Sequence, residues 1–191
     1  MATFGVLNNA TTATQYTDTA GDLWYVGANI TAAGTLTLLN FYADNRAGNP
    51  AFNDFRFGIY AGGSAAGPSG ATKIWDSGRI TTTVGSGGMG WKTLAASGAF
   101  SAGYIWVAWL SADGLDMQTC DGANEGDFGP NTDNYVAAYS TSTALADPFP
   151  GNGSDGAGDT LKVFITYTAT AATPTVIVNP MRSYRKSGRY V

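Results

Sequence analysis

The chain contains no histidine, and that absence removes the side chain on which many catalytic and metal sites depend. Without an imidazole, neither a Ser-His-Asp nor a Cys-His arrangement can activate a nucleophile. A zinc site would have no histidine nitrogen as a ligand, and the single cysteine, Cys120, cannot supply a set of thiolates instead. A lone cysteine also excludes an intrachain disulfide. We therefore expect a protein that is not an enzyme and that carries no cofactor.

Acidic residues are present, but their setting is typical of turns. The one glutamate, Glu125, lies among several aspartates in a loop at 112–134 that is rich in Asp, Asn and Gly. Two acids across a cleft would suffice for a glycosidase, and oxygen atoms from such a loop suit calcium. Because the spacing matches no calcium-binding loop, solvated Asx-turns are the preferred interpretation. A similar loop at 141–160 carries two prolines around Phe149 and is long enough to be functional or to pack on another body.

Charge is scarce and unevenly distributed. Charged residues make up 13% of the chain, about half the usual share. Four of the ten basic residues lie in the last ten positions, which contain no acid, so the remaining body has six basic and fourteen acidic residues and a charge of −8. An acidic surface cannot pair with phosphate backbones, which excludes nucleic acid as a partner of the folded body. The low charge favours assembly, and we expect a homo-oligomer.

Targeting signals are lacking as well. The N-terminal sequence MATFGVLNNATT has neither the basic region nor the apolar region of a secretory signal. No run approaches the roughly 20 apolar residues of a membrane span, so we expect no membrane contact. These features predict a protein that folds in the cytoplasm, and a protein released from the cell by lysis would share them.

What the sequence does have is the alternation of apolar and polar residues that is typical of β-strands. It is clearest at Phe55, Phe57 and Ile59, and no segment shows the 3.6-residue period of a helix. Glycine clusters at 62–70 and 85–90 are followed by strands, so they predict hairpin loops rather than phosphate-binding loops. Short strands with turns between them predict an all-β sandwich or barrel. The predicted strands are 3–7, 23–30, 35–43, 54–61, 72–83, 90–95, 103–111, 135–140, 161–168 and 174–179.

The strand at 103–111 is apolar on both of its faces. Trp106 lies on one face and Trp109 on the other, and both are expected to pack in the core. A strand of this kind must be covered twice, first by the second sheet and then by a loop or a neighbouring subunit.

Other aromatic residues could stack on sugar rings if they are exposed. For the three tryptophans among them, packing in the core is the preferred interpretation. The candidates are Trp24, Tyr25, Tyr42, Trp75 and Trp91.

The C-terminal segment differs in composition from the rest. Pro174 and Pro180 bracket the β-rich TVIVN, and a basic Tyr/Arg tail follows. We expect one β-sandwich domain at 1–170 and an extended arm at 171–191 that docks on its own domain, on another copy or on a different protein. Valines in the arm would add a strand to a sheet edge, basic residues would pair with acidic patches, and tyrosines would pack as anchors. The predicted contact residues are Val176, Val178, Arg182, Tyr184, Arg185, Lys186, Arg189 and Tyr190.

A series of short motifs resembles a known family. In order they are FGIY at 57–60, Pro68 with Gly70 in the next loop, KIWDSGRIT at 73–81, GW at 90–91 with Leu94, and AGYIWVAW at 102–109. Together they resemble a jelly-roll-like β-sandwich module found in virion proteins of tailed bacteriophages and in bacterial surface proteins. About 55 residues match closely. The loop at 62–70 has extra residues, and the tail from 170 onward is not part of the resemblance.

The resemblance implies an antiparallel jelly-roll-like sandwich with a binding or building role and no catalytic residues. The leading expectation is a phage virion structural protein, assembled in the host cytoplasm, that decorates the capsid. Its partners would be the major capsid protein or other virion proteins and neighbouring copies of itself. The alternative is a carbohydrate- or receptor-binding module of a fibre or tail, with glycans as partners. A fold resemblance does not decide between these functions.

Overall fold

Every regular element in the described part of the chain is a β-strand, as predicted. The computed structural model describes residues 1–5, 15–17, 23–44, 54–82, 84, 89–111, 116–120, 134–136, 143–151 and 160–170. Among these residues there is no helix with the length and apolar character needed to cross a membrane. The strands are β1 (Ala2–Gly5), β2 (Gln15–Thr17), β3 (Leu23–Ile30), β4 (Gly34–Asp44), β5 (Phe55–Ala61), β6 (Thr72–Asp76), β7 (Met89–Ala95), β8 (Ala99–Phe100), β9 (Gly103–Ser111), β10 (Asp116–Cys120), β11 (Asn134–Val136), β12 (Thr160–Leu161) and β13 (Val163–Ala169).

The strands form two antiparallel sheets that pack against each other. In the larger sheet β1, β13, β4 and β7 lie side by side, and β8 also pairs with β4. Its far end is extended by β10, which pairs with β4, β2 and β12. The smaller sheet has the order β11, β3, β9, β5, β6. The prediction of an antiparallel β-sandwich is therefore confirmed.

The pairing follows the nested pattern of a jelly roll. The eight main strands in chain order are β1, β3, β4, β5, β6, β7, β9 and β13. The first pairs with the last, the second with the seventh, the third with the sixth and the fourth with the fifth. Successive nested pairs alternate between the larger and the smaller sheet. The chain thus forms one long hairpin that is folded into two packed sheets, which is the jelly-roll arrangement.

The core lies between the two sheets and is built from one face of each strand. In β9 the inward residues are Ile105, Val107 and Trp109, each at most 1% exposed. Facing them from the larger sheet are Phe41 of β4 and Ile165 of β13, both fully buried. Burying such side chains contributes roughly 1.5–3 kcal/mol each before the entropy of ordering them is counted. The alternation in the sequence thus marks the inner face correctly.

The end of one predicted strand and one predicted hairpin were wrong. The strand predicted at 72–83 ends at Asp76, because Gly78 adopts a positive φ of 69° that turns the chain. The chain then returns to β5, where Ile80 exchanges two backbone hydrogen bonds with Phe55. The strands on either side of the glycine cluster at 85–90 do not pair as a hairpin, because β6 pairs with β5 whereas β7 lies in the other sheet and pairs with β4. Residues 85–88 themselves lie outside the described ones.

The region 112–134 was predicted as a loop without regular structure, and it contains β10. That strand pairs with three strands that are distant in sequence, so no local sequence pattern predicts it. The loop at 62–70 does join an antiparallel pair, β5 and β6, as predicted. The extended arm at 171–191 and its strand at 174–179 lie outside the described residues.

Candidate interaction surface

The outer face of the smaller sheet is apolar and is covered by the chain itself. Tyr25 of β3, Tyr60 of β5 and Trp106 of β9 form a second buried cluster on the side of the sheet that faces away from the main core. Its cover is the segment 143–151, which we call the strap. The second cover predicted for β9 is therefore a loop of the same chain and not a neighbouring subunit.

Two apolar side chains anchor the strap. Phe149 is 1% exposed and packs edge-to-face on Tyr60 and Tyr25, with ring centroids 4.9 and 5.3 Å apart. Leu145 is 3% exposed and lies over Gly58, where a Cβ atom would come within 2.6 Å of Leu145 Cδ1. The glycine thus makes room for the leucine. Edge-to-face ring pairs add about 0.5–1.5 kcal/mol each to the burial term.

Hydrogen bonds to the strap backbone fix its position along the sheet. The Tyr60 hydroxyl donates to the carbonyl of Ala146 at 2.9 Å, and Lys73 Nζ donates to the carbonyl of Leu145. The Phe149 N–H donates to the carbonyl of Ala71 at 2.8 Å, in the manner of an added strand. The Asp147 carboxylate accepts from the Lys73 backbone N–H at 3.0 Å. The strap therefore satisfies polar groups along β6, which pairs only with β5 among the described strands.

Asp76 organises the two cations that hold the strap. Its carboxylate accepts from Arg56 Nε at 2.6 Å and from Lys73 Nζ at 3.1 Å. Arg56 in turn donates to the carbonyl of Thr143 at 3.1 Å, and Lys73 reaches Leu145. Burial raises the pKa of Asp76, but hydrogen bonds from Arg56, the Gly78 N–H and Lys73 outweigh it, and the pKa lies below the ordinary 3.8.

We expect Asp76→Asn to lower the free energy of unfolding at neutral pH by about 1.5–3 kcal/mol, the range for hydrogen bonds to a charged group. Because the folded pKa is depressed, the carboxylate stabilises the fold fully above pH 3.8, and this contribution is lost as the pH falls through the lower folded value. Urea unfolding of both proteins across this range should show the difference shrinking in acid. Asp54→Asn weakens the pair with Arg79, whose side chain is 48% exposed, and should cost less than Asp76→Asn. A difference for Asp76→Asn that persists unchanged in acid would contradict this role.

The outer face of the larger sheet is different, because half-buried rings lie there among polar groups. Trp91 of β7 is the direct cross-strand neighbour of Tyr42 of β4, and their rings meet edge-to-face at 5.4 Å. Trp91 also reaches across β4 to Phe164 of β13, at 5.1 Å. Lys162 Nζ lies 5.3 Å from the centroid of the Tyr42 ring. We call these four residues the aromatic face.

A row of polar side chains runs beside the aromatic face. Thr93 donates to the Asn40 side-chain oxygen at 2.9 Å, and the Asn40 amide donates to the Thr166 hydroxyl at 3.3 Å. Asn40 and Thr166 are largely buried, while Thr93 is exposed. The hydrogen bonds tie β7, β4 and β13 together and hold the rings at fixed spacing. The result is a surface on which aromatic rings lie beside hydrogen-bonding groups, suited to the apolar C–H face of a sugar ring or to a planar cation.

The five sugar-stacking candidates separate into three groups. Trp24 is 3% exposed and lies in the main core, as preferred, whereas Tyr25 is fully buried under the strap and so cannot contact a ligand. Trp75 packs against the main core while remaining partly exposed. Tyr42 and Trp91 come together on the aromatic face, so the core interpretation of Trp91 was wrong.

Phe164 and Lys162 were missed by the sequence reasoning. The signal was present in β13, where Val163, Ile165 and Tyr167 point inward and Phe164 stands alone among polar residues of the other parity. An aromatic residue on the polar side of a strand is the mark of a surface ring.

The eight predicted contact residues, Val176 to Tyr190, all lie outside the described ranges. Most of the loop at 112–134, for which solvated turns were preferred over a calcium site, lies outside them as well. Within the described ranges, no group of three or more acidic or cysteine side chains is placed to hold a metal ion. In comparisons with known proteins, no family model matches the chain and no curated protein sequence matches it.

Proposed function

We propose that this chain is a non-enzymatic structural protein of a tailed-phage particle that decorates the capsid. In this role the jelly-roll body sits on the shell and contacts the major capsid protein and neighbouring copies. The C-terminal arm binds a neighbouring protein of the particle through its basic residues and tyrosines. The proposal extends the resemblance noted in the sequence.

The residues that carry the resemblance serve the fold, which suits a building role. Trp106 Nε1 donates to the carbonyl of Gly62 at 2.9 Å and so holds the loop at 62–70 against β9. The Ser77 hydroxyl accepts from the Phe57 N–H at 2.9 Å, and Asp76 holds the strap through its two cations. Each of these motif residues is engaged in turns, packing or ion pairs.

The observation that carries the proposal is the separation of charge along the chain. The body carries −8 and the last ten residues carry +4. Opposite charges attract and orient two surfaces before they meet. Since the strap already covers the apolar face of the smaller sheet, the aromatic face remains as a contact surface among the described residues. The proposal adds the arm, which lies outside them.

Deleting residues 171–191 is expected to remove most copies from the particle, because in this proposal the arm provides the contacts that hold each copy there. The measurement is the copy number per purified particle by quantitative mass spectrometry, together with the heat resistance of the particles. The full-length control replaces Arg182, Arg185, Lys186 and Arg189 with glutamine. It should lose occupancy to a similar extent, since it removes the charges and keeps the chain length.

Full occupancy and unchanged heat resistance with the shortened chain would contradict the proposed mechanism. A copy number of a few per particle for the wild-type chain would point to a tail component rather than a shell component.

A carbohydrate- or receptor-binding module is the second candidate. It is supported by the half-exposed rings of Tyr42 and Trp91 beside hydrogen-bonding groups. A glycan array probed with the intact chain discriminates between the two functions. Specific glycan binding that Trp91→Ala abolishes, with folding intact, would favour the second candidate.

A further inference from the structure

We infer that the aromatic face of one copy binds the basic C-terminal segment, residues 171–191, of a second copy. The inference rests on the proposed function, because it names the surface that the segment would grip. It is supported by the chemistry of the rings, by charge complementarity and by the length of the segment and the place where it begins.

The rings of the aromatic face are suited to cations. Lys162 Nζ already lies 5.3 Å from the centroid of Tyr42, so this face holds one cation over a ring. Guanidinium groups stack on aromatic rings more often than ammonium groups, and tryptophan is the strongest partner. Trp91 is half-buried, which leaves part of its ring accessible. The C-terminal segment supplies the matching groups, with Arg182 and Arg185 on either side of Tyr184.

Charge is complementary between the segment and the body. The segment ends in ten residues with four basic side chains, whereas the rest of the chain carries −8.

The described chain ends at the opposite end of the sheet from the aromatic face. β13 ends at Ala169, and the Thr170 N–H donates to the carbonyl of Ala33. Residues 171–191 would span up to roughly 70 Å if fully extended, and Pro174 and Pro180 favour an extended conformation. A segment of this length that begins there is long enough to reach the aromatic face of a second copy.

Sedimentation velocity of full-length chains tests the inference with complementary variants. Trp91→Ala removes the central ring and keeps the C-terminal segment, whereas the four-glutamine variant removes the basic groups and keeps the face. Each variant alone is expected to self-associate roughly ten-fold more weakly than the wild type. An equimolar mixture should associate more strongly than either variant alone, because each supplies the surface that the other lacks.

Two further variants separate loss of contact from loss of fold. Ala95→Lys places a positive charge at an exposed position of β7, on the same side of the sheet as Trp91, and leaves the rings and the polar row in place, so it should weaken association by repulsion. Trp91→Phe keeps an aromatic ring and should retain most of the association. Wild-type association should also weaken with added salt. A wild-type chain that stays monomeric, or a mixture that associates no better than its components, overturns the inference.

Particle occupancy distinguishes failure of this inference from failure of the proposed function. If the four-glutamine variant is lost from particles while Trp91→Ala fills them at the wild-type level, the segment grips another surface and only the inference fails. If both variants fill the particles, both proposals fail. Glycan binding at the face, with no effect of the C-terminal charges on association, also overturns the inference.

Discussion

Replacing Phe149 with alanine is expected to lower the free energy of unfolding by about 3–5 kcal/mol, the range for deleting a buried phenylalanine. The ring is 1% exposed and lies edge-to-face against both Tyr60 and Tyr25. Its loss leaves a cavity under the strap that two rigid neighbouring rings cannot fill. Equilibrium unfolding in urea, followed by tryptophan fluorescence, measures the change.

The controls for this prediction are a conservative and a remote substitution. Phe149→Leu keeps most of the apolar volume and should cost less than about 1.5 kcal/mol. Phe164→Ala removes a ring of the same size from the half-exposed aromatic face, so its cost should be clearly smaller than that of Phe149→Ala. If the two alanine variants lose equal stability, Phe149 does not anchor the strap as described.

Gly27→Ala is expected to destabilise the fold by about 2–3 kcal/mol through overpacking. Gly27 lies opposite Trp106 in the β3–β9 register, and a Cβ atom there would collide with the indole and lie 2.5 Å from the carbonyl oxygen of Ile105. The indole cannot move away easily, because its Nε1 is bonded to Gly62 and its ring packs edge-to-face on Tyr25. Calorimetry should show the midpoint of thermal unfolding falling by roughly 4–12 °C.

Gly90→Ala is the matched control for this substitution. Gly90 also lies within a strand, β7, but nothing stands within 4 Å of the place where its Cβ would be. The added methyl group there should be neutral or slightly stabilising, because it reduces the entropy of the unfolded chain. A Gly27→Ala variant as stable as Gly90→Ala would show that β3 and β9 can separate to admit the methyl group.

Alternation was sufficient to predict the class of fold and most of its strands. Residues 103–111 show why, because a strand that is apolar on both faces demands cover on both sides whatever the rest of the chain does. The identity of the second cover could not be predicted. It depends on contacts between the strap and residues more than 70 positions away, such as Lys73 with Leu145. Long-range pairing of this kind leaves no local pattern.

The aromatic face was only half predicted for a similar reason. Tyr42 and Trp91 were among the candidates for stacking on sugars, although Trp91 was expected in the core. Nothing in the sequence indicates that β7 is the neighbour of β4 or that β13 lies on the other side. The register across these three strands brings Phe164 and Lys162 to the same surface. Alternation along one strand predicts on which face of the sheet a side chain lies. Which side chains become its neighbours on that face depends on the order and register of all the strands.

The nested pairing has a consequence for engineering of the molecule. Since β1 and β13 are adjacent, with Ala2 opposite Tyr167, both ends of the sandwich emerge at one edge of the larger sheet. A protein fused to the N-terminal side of Met1, which is 95% exposed, would lie beside the point where the chain leaves β13. A short linker could join these two positions, and a circular permutant opened at the exposed tip near Ala65 would keep every strand pair intact.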